Sequence, residues 1–184
     1  GHAVAQPLYR SQSAGSRAYS TKSGVDLYKA LGTLKFKVNP KLYNAYLTSK
    51  TERKTGAGTF FDENSDSSSQ WSLGEEKIDF YTDDLKASWE KGFNDVAIVM
   101  FAREGGEGVE LYTKTPTEGI SQLALCQEEK ALLAMIRDSG AFKKTIVLLN
   151  SGNPMEVDWI EEYGVDAVLW IGCPGEKGFT GVAN

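Results

Sequence analysis

The chain has 184 residues, 41% of them hydrophobic, a formal net charge of −5 at pH 7 and a pI near 5.0. This length suits one sizeable hydrophobic core and is short for two independent domains, so a single domain over residues 1–184 is predicted. Acidic and basic residues are mixed along the chain, without a basic block that could neutralise phosphates. The apolar runs are far shorter than the roughly 20 residues that cross a membrane. Neither nucleic acid nor a membrane is therefore an expected partner.

The sequence offers no cluster of metal-binding residues. It has two cysteines, Cys126 and Cys173, and one histidine, His2. These are too few and too far apart for a zinc site or a disulfide framework. We interpret both cysteines as buried thiols, which slightly favours a reducing, cytoplasmic location, and His2 as a surface residue. No metal and no cofactor are expected.

The N-terminal half is irregular in its pattern. Residues 23–31 and 40–53 are predicted to be helices on either side of a short strand at 34–38, and the Asn39-Pro40 pair suits the start of the second helix. Residues 54–72 are polar and rich in serine, which predicts a long surface loop. Trp71 lies beside this loop, either as an aromatic anchor or as a platform on which a sugar stacks.

The C-terminal half predicts an α/β fold. A helix is expected from Thr82 to Trp89. Beyond it, strands at 95–102, 145–150 and 166–172 alternate with helices at 125–138 and 156–163. The strands are continuous apolar runs, as in a sheet that is covered on both faces. The alternation predicts a mostly parallel sheet with helices on both faces, an α/β sandwich. Trp89, Trp159 and Trp170 are expected to lie in its core.

Three predicted loops share one edge of this sheet, because ligands of parallel sheets bind beyond the carboxyl ends of the strands. The loop after the first strand is the least ordinary, with the sequence Arg103-Glu104-Gly105-Gly106-Glu107-Gly108. It could be a solvated turn. Its glycine spacing does not fit a phosphate-binding loop, and its two acids would repel phosphate. Paired carboxylates suit glycoside hydrolysis, in which one acid protonates the leaving oxygen and another attacks the sugar.

Several motifs occur in an order that resembles a known family. The strand and loop at 96–111 are followed by Leu125-Cys126-Gln127-Glu128-Glu129, then by Asn150-Ser151-Gly152-Asn153-Pro154, and then by Pro174-Gly175-Glu176-Lys177-Gly178. In this order they are similar to the α/β-sandwich domain of glycoside hydrolase family 3, the β-glucosidase family. Residues 10–16 resemble the small-residue loop after that domain's first strand, which makes Ser16 a candidate sugar contact. The resemblance implies a domain that is incomplete at both ends.

The resemblance also implies roles for residues of the loop. Enzymes of this family carry a nucleophilic aspartate on a separate (β/α)8 barrel, and their glucosidase-type members take the acid/base glutamate from a Gly-Glu-Gly loop of the second domain. That position is Glu107 here. Glu104 could raise the pKa of Glu107 by like-charge repulsion, or simply be solvated. Arg103 could touch a sugar hydroxyl or form a structural ion pair.

The resemblance therefore implies the α/β-sandwich domain of a retaining β-glycosidase of β-glucosidase type, which acts as part of a larger protein and not as an independent enzyme. Its implied partners are the barrel domain and a β-glycoside or oligosaccharide, and an oligomer is compatible with the sequence. Because no segment of the chain matches the family's nucleophile, residues 1–184 alone are expected to be inactive. The alternative is a non-catalytic domain that binds carbohydrate or is purely structural, as in family members that take their acid/base from the barrel.

Overall fold

The computed structural model describes residues 1–9, 24–51, 53, 73–103, 105 and 111–184. Its sheet has three parallel strands in the order β1 (Val96–Arg103), β2 (Lys144–Ser151) and β3 (Ala167–Trp170). Val96 of β1 is paired with Lys144 of β2 and Arg103 with Ser151, so both strands end at the same edge of the sheet. The predicted parallel sheet is confirmed.

Five α-helices are described: α1 (Leu27–Thr33), α2 (Pro40–Thr48), α3 (Asp83–Glu90), α4 (Gln127–Ser139) and α5 (Phe179–Ala183). Short 3-10 helices cover His2–Val4 and Ile78–Phe80. At the N-caps of α1, α2 and α3, the side chains of Asp26, Asn39 and Thr82 accept backbone N–H groups of the first turn. None of the described helices is long and apolar enough to cross a membrane.

The helices cover both faces of the sheet, as alternation of side chains along each strand requires. On one face, Val99, Phe101 and Val147 pack with residues of α2, α3 and α4 and with Trp159. On the other face, Met100, Ala102 and Leu148 pack with α1, α5 and Ala3. The α/β-sandwich prediction is confirmed, and burial of these side chains stabilises the fold by about 1.5–3 kcal/mol for each large one.

Two predicted elements are not present. The strand expected at 34–38 is an exposed loop, because α1 ends in a turn that places Lys35 at φ 64° and leaves Phe36 59% exposed. The helix expected at 156–163 is a run of turns that mixes three- and four-residue hydrogen bonds and ends at Gly164, with φ 63°. In both segments the apolar spacing is right for a regular element, but the local hydrogen bonds are not repeated.

Three expected placements are also wrong. His2 is fully buried rather than on the surface, because its short helix packs against β1 and its Nδ1 lies 2.8 Å from Glu76 Oε1. Trp170 is 61% exposed rather than in the core, since it ends the edge strand β3. Cys173 is half-buried, whereas Cys126 is buried as expected. Trp89 and Trp159 are in the core as predicted.

Candidate functional site

The carboxyl ends of the strands bring three loops to one edge of the sheet. Arg103 ends β1 and Ser151 ends β2, and these two residues are partners in the register. Trp170 ends β3, and its indole N–H donates to the carbonyl of Ser151 at 2.6 Å. The prediction that the loops after the strands share one rim is confirmed for the ends of these strands.

The first two loops are in close contact at Gly105. A side-chain carbon on Gly105 would overlap the amide nitrogen of Asn153 and would lie 3.2 Å from Leu111. The overlapping atom is the end of the Asn153 side chain, which is half-buried, so a side chain at 105 would require Asn153 to move. Glycine at this position therefore allows the backbone after β1 to lie against the Asn153 side chain of the loop after β2.

Asn150, the residue before the end of β2, joins three parts of the chain at the rim. Its side chain is fully buried, and its Oδ1 accepts the backbone N–H of Leu8 at 2.6 Å. Its Nδ2 donates to the carbonyls of Leu8 at 2.8 Å and Gly172 at 2.7 Å. The side-chain amide of Asn150 thus holds residues 8 and 172 beside β2.

Arg103 is buried at the base of the loop after β1. Its guanidinium has five N–H donors, and every one is used within the described residues. Two go to the carboxylate of Glu129, with Nη1 at 2.7 Å from Oε1. The other three go to the carbonyls of Ala102, Gln122 and Ala124 at 2.8–2.9 Å. Of the two roles predicted for Arg103, the structural ion pair is present.

Glu129 lies in the first turn of α4 and completes the pair. Its Oε2 also accepts the backbone N–H of Cys126 at 2.9 Å, which caps the helix. Burial alone would raise the pKa of Glu129. The charge and hydrogen bonds of Arg103, together with Arg53 and the Cys126 N–H, outweigh burial and hold this pKa below its ordinary value of 4.5. The carboxylate is therefore ionised at neutral pH.

A second buried arginine holds the same segment from another side. Arg53 binds the carboxylate of Glu118 through Nε at 3.0 Å and Nη2 at 2.7 Å. Its Nη1 donates to the carbonyls of Gln122 at 3.1 Å and Ala124 at 3.3 Å, which also accept from Arg103. Two guanidinium groups thus converge on one short stretch of backbone, and two carboxylates compensate their charges.

A cleft of about 580 Å³ opens beside Arg53. Its walls carry acidic side chains, including Glu75, Glu76 and Glu118, together with Lys50. Glu75 is nearly enclosed, and burial raises its pKa, although hydrogen bonds from the backbone N–H groups of His2 and Glu76 oppose this rise. Among the described residues, no group of His, Cys, Asp and Glu side chains is arranged to hold a metal ion.

Sequence reasoning missed Glu129, Arg53 and Glu118 as members of this arrangement. A signal existed for Glu129, because Cys126 and Glu129 have the spacing of a capping box at a predicted helix start. No local pattern marks Arg53, which follows α2 and meets its partner 65 residues later. Four predicted site residues lie outside the described residues: Glu104, Glu107, Ser16 and Trp71.

The fold and this rim define an α/β-sandwich domain with loops gathered at the carboxyl edge of a parallel sheet. Residues 10–184 match the family model described as the glycosyl hydrolase family 3 C-terminal domain. The chain therefore belongs to glycoside hydrolase family 3, as its motifs predicted.

Relatives and solved structures agree with this assignment. Over 91 residues the chain is 34% identical to a β-glucosidase of Ruminococcus albus, covering 50% of this chain and 9% of that protein. It is 33% identical over 91 residues to a β-glucosidase of Schizophyllum commune, covering 49% of this chain and 46% of that protein. The chain thus spans less than half the length of these curated relatives.

Two solved structures share the fold at low identity. A β-glucosidase from Paenibacillus barengoltzii superimposes with a TM-score of 0.71 and 19% identity, over 99% of this chain and 18% of that one. β-Glucosidase 3B from Thermotoga neapolitana, in complex with glucose, gives 0.68 and 20% identity, over 100% of this chain and 24% of that one.

Proposed function

We propose that residues 1–184 belong to a retaining β-glycosidase, of β-glucosidase type, and supply its general acid/base through Glu107. The observation that carries the proposal is the position of Arg103. This residue ends β1 at the carboxyl edge of a parallel sheet, in a chain that belongs to family 3, and residues 104–110 follow it in the sequence. The nucleophile is then an aspartate on a partner (β/α)8 barrel that faces this edge.

In this mechanism one carboxyl group serves twice. Glu107 protonates the glycosidic oxygen as the barrel's carboxylate attacks the anomeric carbon, and it then removes a proton from the water that releases the sugar. A retaining enzyme needs the two carboxyl groups at about 5–5.5 Å from each other. Residues 1–184 alone therefore lack half of the chemistry and are proposed to be inactive.

The charge of Arg103, which precedes the loop, is compensated, and this supports a general acid in the loop. An unpaired guanidinium near Glu107, which follows Arg103 by four residues, would stabilise the ionised form of this carboxylate and weaken it as a proton donor. Here Arg103 is already paired with Glu129 at 2.7 Å, so the two charges compensate each other. An acid/base group beside such a pair can keep a proton more readily than one beside an unpaired arginine.

The other predicted sugar contacts also remain proposals. Ser16, Glu104 and Trp71 are proposed to contact the sugar or its leaving group. A direct contact between Arg103 and a sugar hydroxyl would require one of five existing hydrogen bonds to break. We therefore rank its structural role above its direct one.

The test uses the protein that combines residues 1–184 with the barrel. Glu107→Ala is compared with wild type on dinitrophenyl and phenyl β-glucosides. Glu104→Ala, from the same loop, is the comparison: loss of a sugar contact should lower kcat/KM equally on both substrates. We expect Glu107→Ala to lose about 10²–10⁴-fold in kcat/KM on the phenyl substrate, whose leaving group needs a proton, and much less on the dinitrophenyl substrate.

Azide provides the second arm of this test. It needs no general base, because it has no proton to lose when it attacks the glycosyl-enzyme. Azide should therefore restore turnover of the dinitrophenyl substrate by Glu107→Ala and not by Glu104→Ala. Unchanged turnover in Glu107→Ala would favour the alternative of a non-catalytic domain, and rescue of Glu104→Ala alone would move the role to that residue.

A further inference from the structure

The two ends of the loop after β1 are connected through one residue, Gln122. Arg103, before the loop, donates its Nε–H to the carbonyl of Gln122 at 2.9 Å. Tyr112, after the loop, accepts the backbone N–H of Gln122 at 2.9 Å. Arg103 and Tyr112, which flank the segment 104–111, are thereby both held by Gln122, one through a buried side chain and the other through a backbone hydrogen bond.

The same arginine connects this closure to the rigid parts of the fold. It binds the carbonyl of Ala102 within β1 at 2.8 Å and the carboxylate of Glu129 in the first turn of α4. Side chains of both residues are only 3% exposed. A planar guanidinium with all donors engaged has one orientation, so the loop base has a fixed position relative to the sheet and the helix.

We infer that Arg103, held by Glu129, is a positioning residue: it anchors residues 103 and 112, the two ends of the segment that carries the acid/base carboxylate, to β1 and α4. This inference rests on the function proposed for Glu107. The inference goes beyond that function because it attributes the positioning of Glu107 for proton transfer to a buried ion pair that contacts no substrate. A catalytic group must be held in an accurate position, because its displacement by about 1 Å can cost about 10²-fold in rate.

Arg53 provides a matched comparison within the chain. It donates to the same carbonyls of Gln122 and Ala124, and it is equally buried. None of its described hydrogen bonds reaches β1 or α4, since its carboxylate partner is Glu118. Replacement of Arg53 thus disturbs the same backbone but leaves the link between the loop, the strand and the helix in place.

The experiment measures kcat/KM for phenyl and dinitrophenyl β-glucosides with Arg103→Lys and Arg53→Lys in the protein that includes the barrel. Lysine keeps the charge but cannot form the two-pronged bond to Glu129. We expect Arg103→Lys to lose on the order of 10²-fold on the phenyl substrate and less than about tenfold on the dinitrophenyl substrate. Arg53→Lys should leave the ratio of the two values as in wild type.

Two outcomes would overturn the inference: an unchanged ratio in folded Arg103→Lys, or an equal change of the ratio in Arg53→Lys. If Arg103→Lys does not fold, Glu129→Asp, which keeps the charge and shortens the side chain, serves in its place with the same criteria. Glu107→Ala in the same series separates the two proposals. If it leaves the ratio unchanged, the proposed function fails; if it changes the ratio and Arg103→Lys does not, only the positioning role fails.

Discussion

At the scale of single residues, close backbone approach explains the glycine at 105 better than flexibility does. The space for a side chain at this position is filled by the amide of Asn153 and by Leu111. The identity of the residue is thus set by a neighbour 48 positions away, in the loop after another strand. The sequence showed a glycine-rich loop, but only the fold shows which contact needs one of its glycines.

Gly105→Ala should reduce the free energy of unfolding, because the new methyl group overlaps Asn153. The double variant with Asn153→Ala should recover part of the loss, with a coupling energy of about 0.5–3 kcal/mol as typical for residues in contact. Denaturant unfolding of the two single variants and the double variant measures this coupling. Additive losses would show that the two loops do not touch here.

Lys35 is a second residue whose backbone decides the outcome of a substitution. It has φ 64°, in the left-handed region that costs a residue with a side chain about 1–2 kcal/mol. Lys35→Gly should therefore raise the free energy of unfolding by about 0.5–1 kcal/mol, after the larger entropy of an unfolded glycine is subtracted. A lower midpoint in urea for this variant would contradict the conformation at the end of α1.

At the scale of elements, strands and helices with long sequence patterns were predictable, and ion pairs between distant residues were not. Continuous apolar runs identified β1, β2 and β3, and the stripe ended by Gly140 identified α4, where glycine has φ 59°. The segments 34–38 and 156–163 have the apolar spacing of a strand and a helix. They form turns instead, because their backbone hydrogen bonds do not repeat at one spacing. The partner of Arg103 could not be read from the sequence, since 26 residues separate it from Glu129.

The ion pair at the start of α4 makes stability depend on pH. The pKa of Glu129 is below its ordinary value of 4.5 in the folded chain, so its stabilising effect is complete above that value. The effect is lost as pH falls from about 4.5 through the lower, folded pKa. Glu129→Gln leaves Arg103 buried without its counter-charge, which should cost about 3–5 kcal/mol near neutral pH.

Denaturant unfolding of wild type and Glu129→Gln at several pH values tests this relation. The difference between the two proteins should be largest above about pH 5 and should shrink at lower pH, where the wild-type carboxylate gains a proton. Glu128→Gln, which changes the neighbouring and partly exposed acid of the same helix turn, is the control. An equal difference at all pH values would show that Glu129 does not titrate with folding.

At the scale of the whole molecule, the sheet brings together residues that are far apart in the sequence. The rim is formed by the ends of strands that stop at residues 103, 151 and 170, and by Asn150, which fixes residues 8 and 172 beside them. The shared edge of the strand ends was predictable from the alternation of strands and helices, and the ligand site at this edge stays a prediction. The buried arginines beneath it were not predictable, since their partners lie on other elements.

Residues 1–184 by themselves should show no turnover of dinitrophenyl β-glucoside above the rate of spontaneous hydrolysis, because the proposed nucleophile belongs to the barrel. Release of dinitrophenolate by purified 1–184, with the Glu107→Ala form as a blank, is the assay. Turnover that depends on Glu107 in this chain alone would mean that a nucleophile lies within these residues.

The most direct test of the central claim is the structure of the product that azide forms with Glu107→Ala in the protein that includes the barrel. The account predicts a β-glycosyl azide, because azide attacks the anomeric carbon of the glycosyl-enzyme and expels the nucleophile's carboxylate from the opposite face. Proton NMR of the anomeric position identifies it. An α-glycosyl azide, or no azide product from a folded variant, would contradict the assignment of Glu107 as the acid/base of a retaining enzyme.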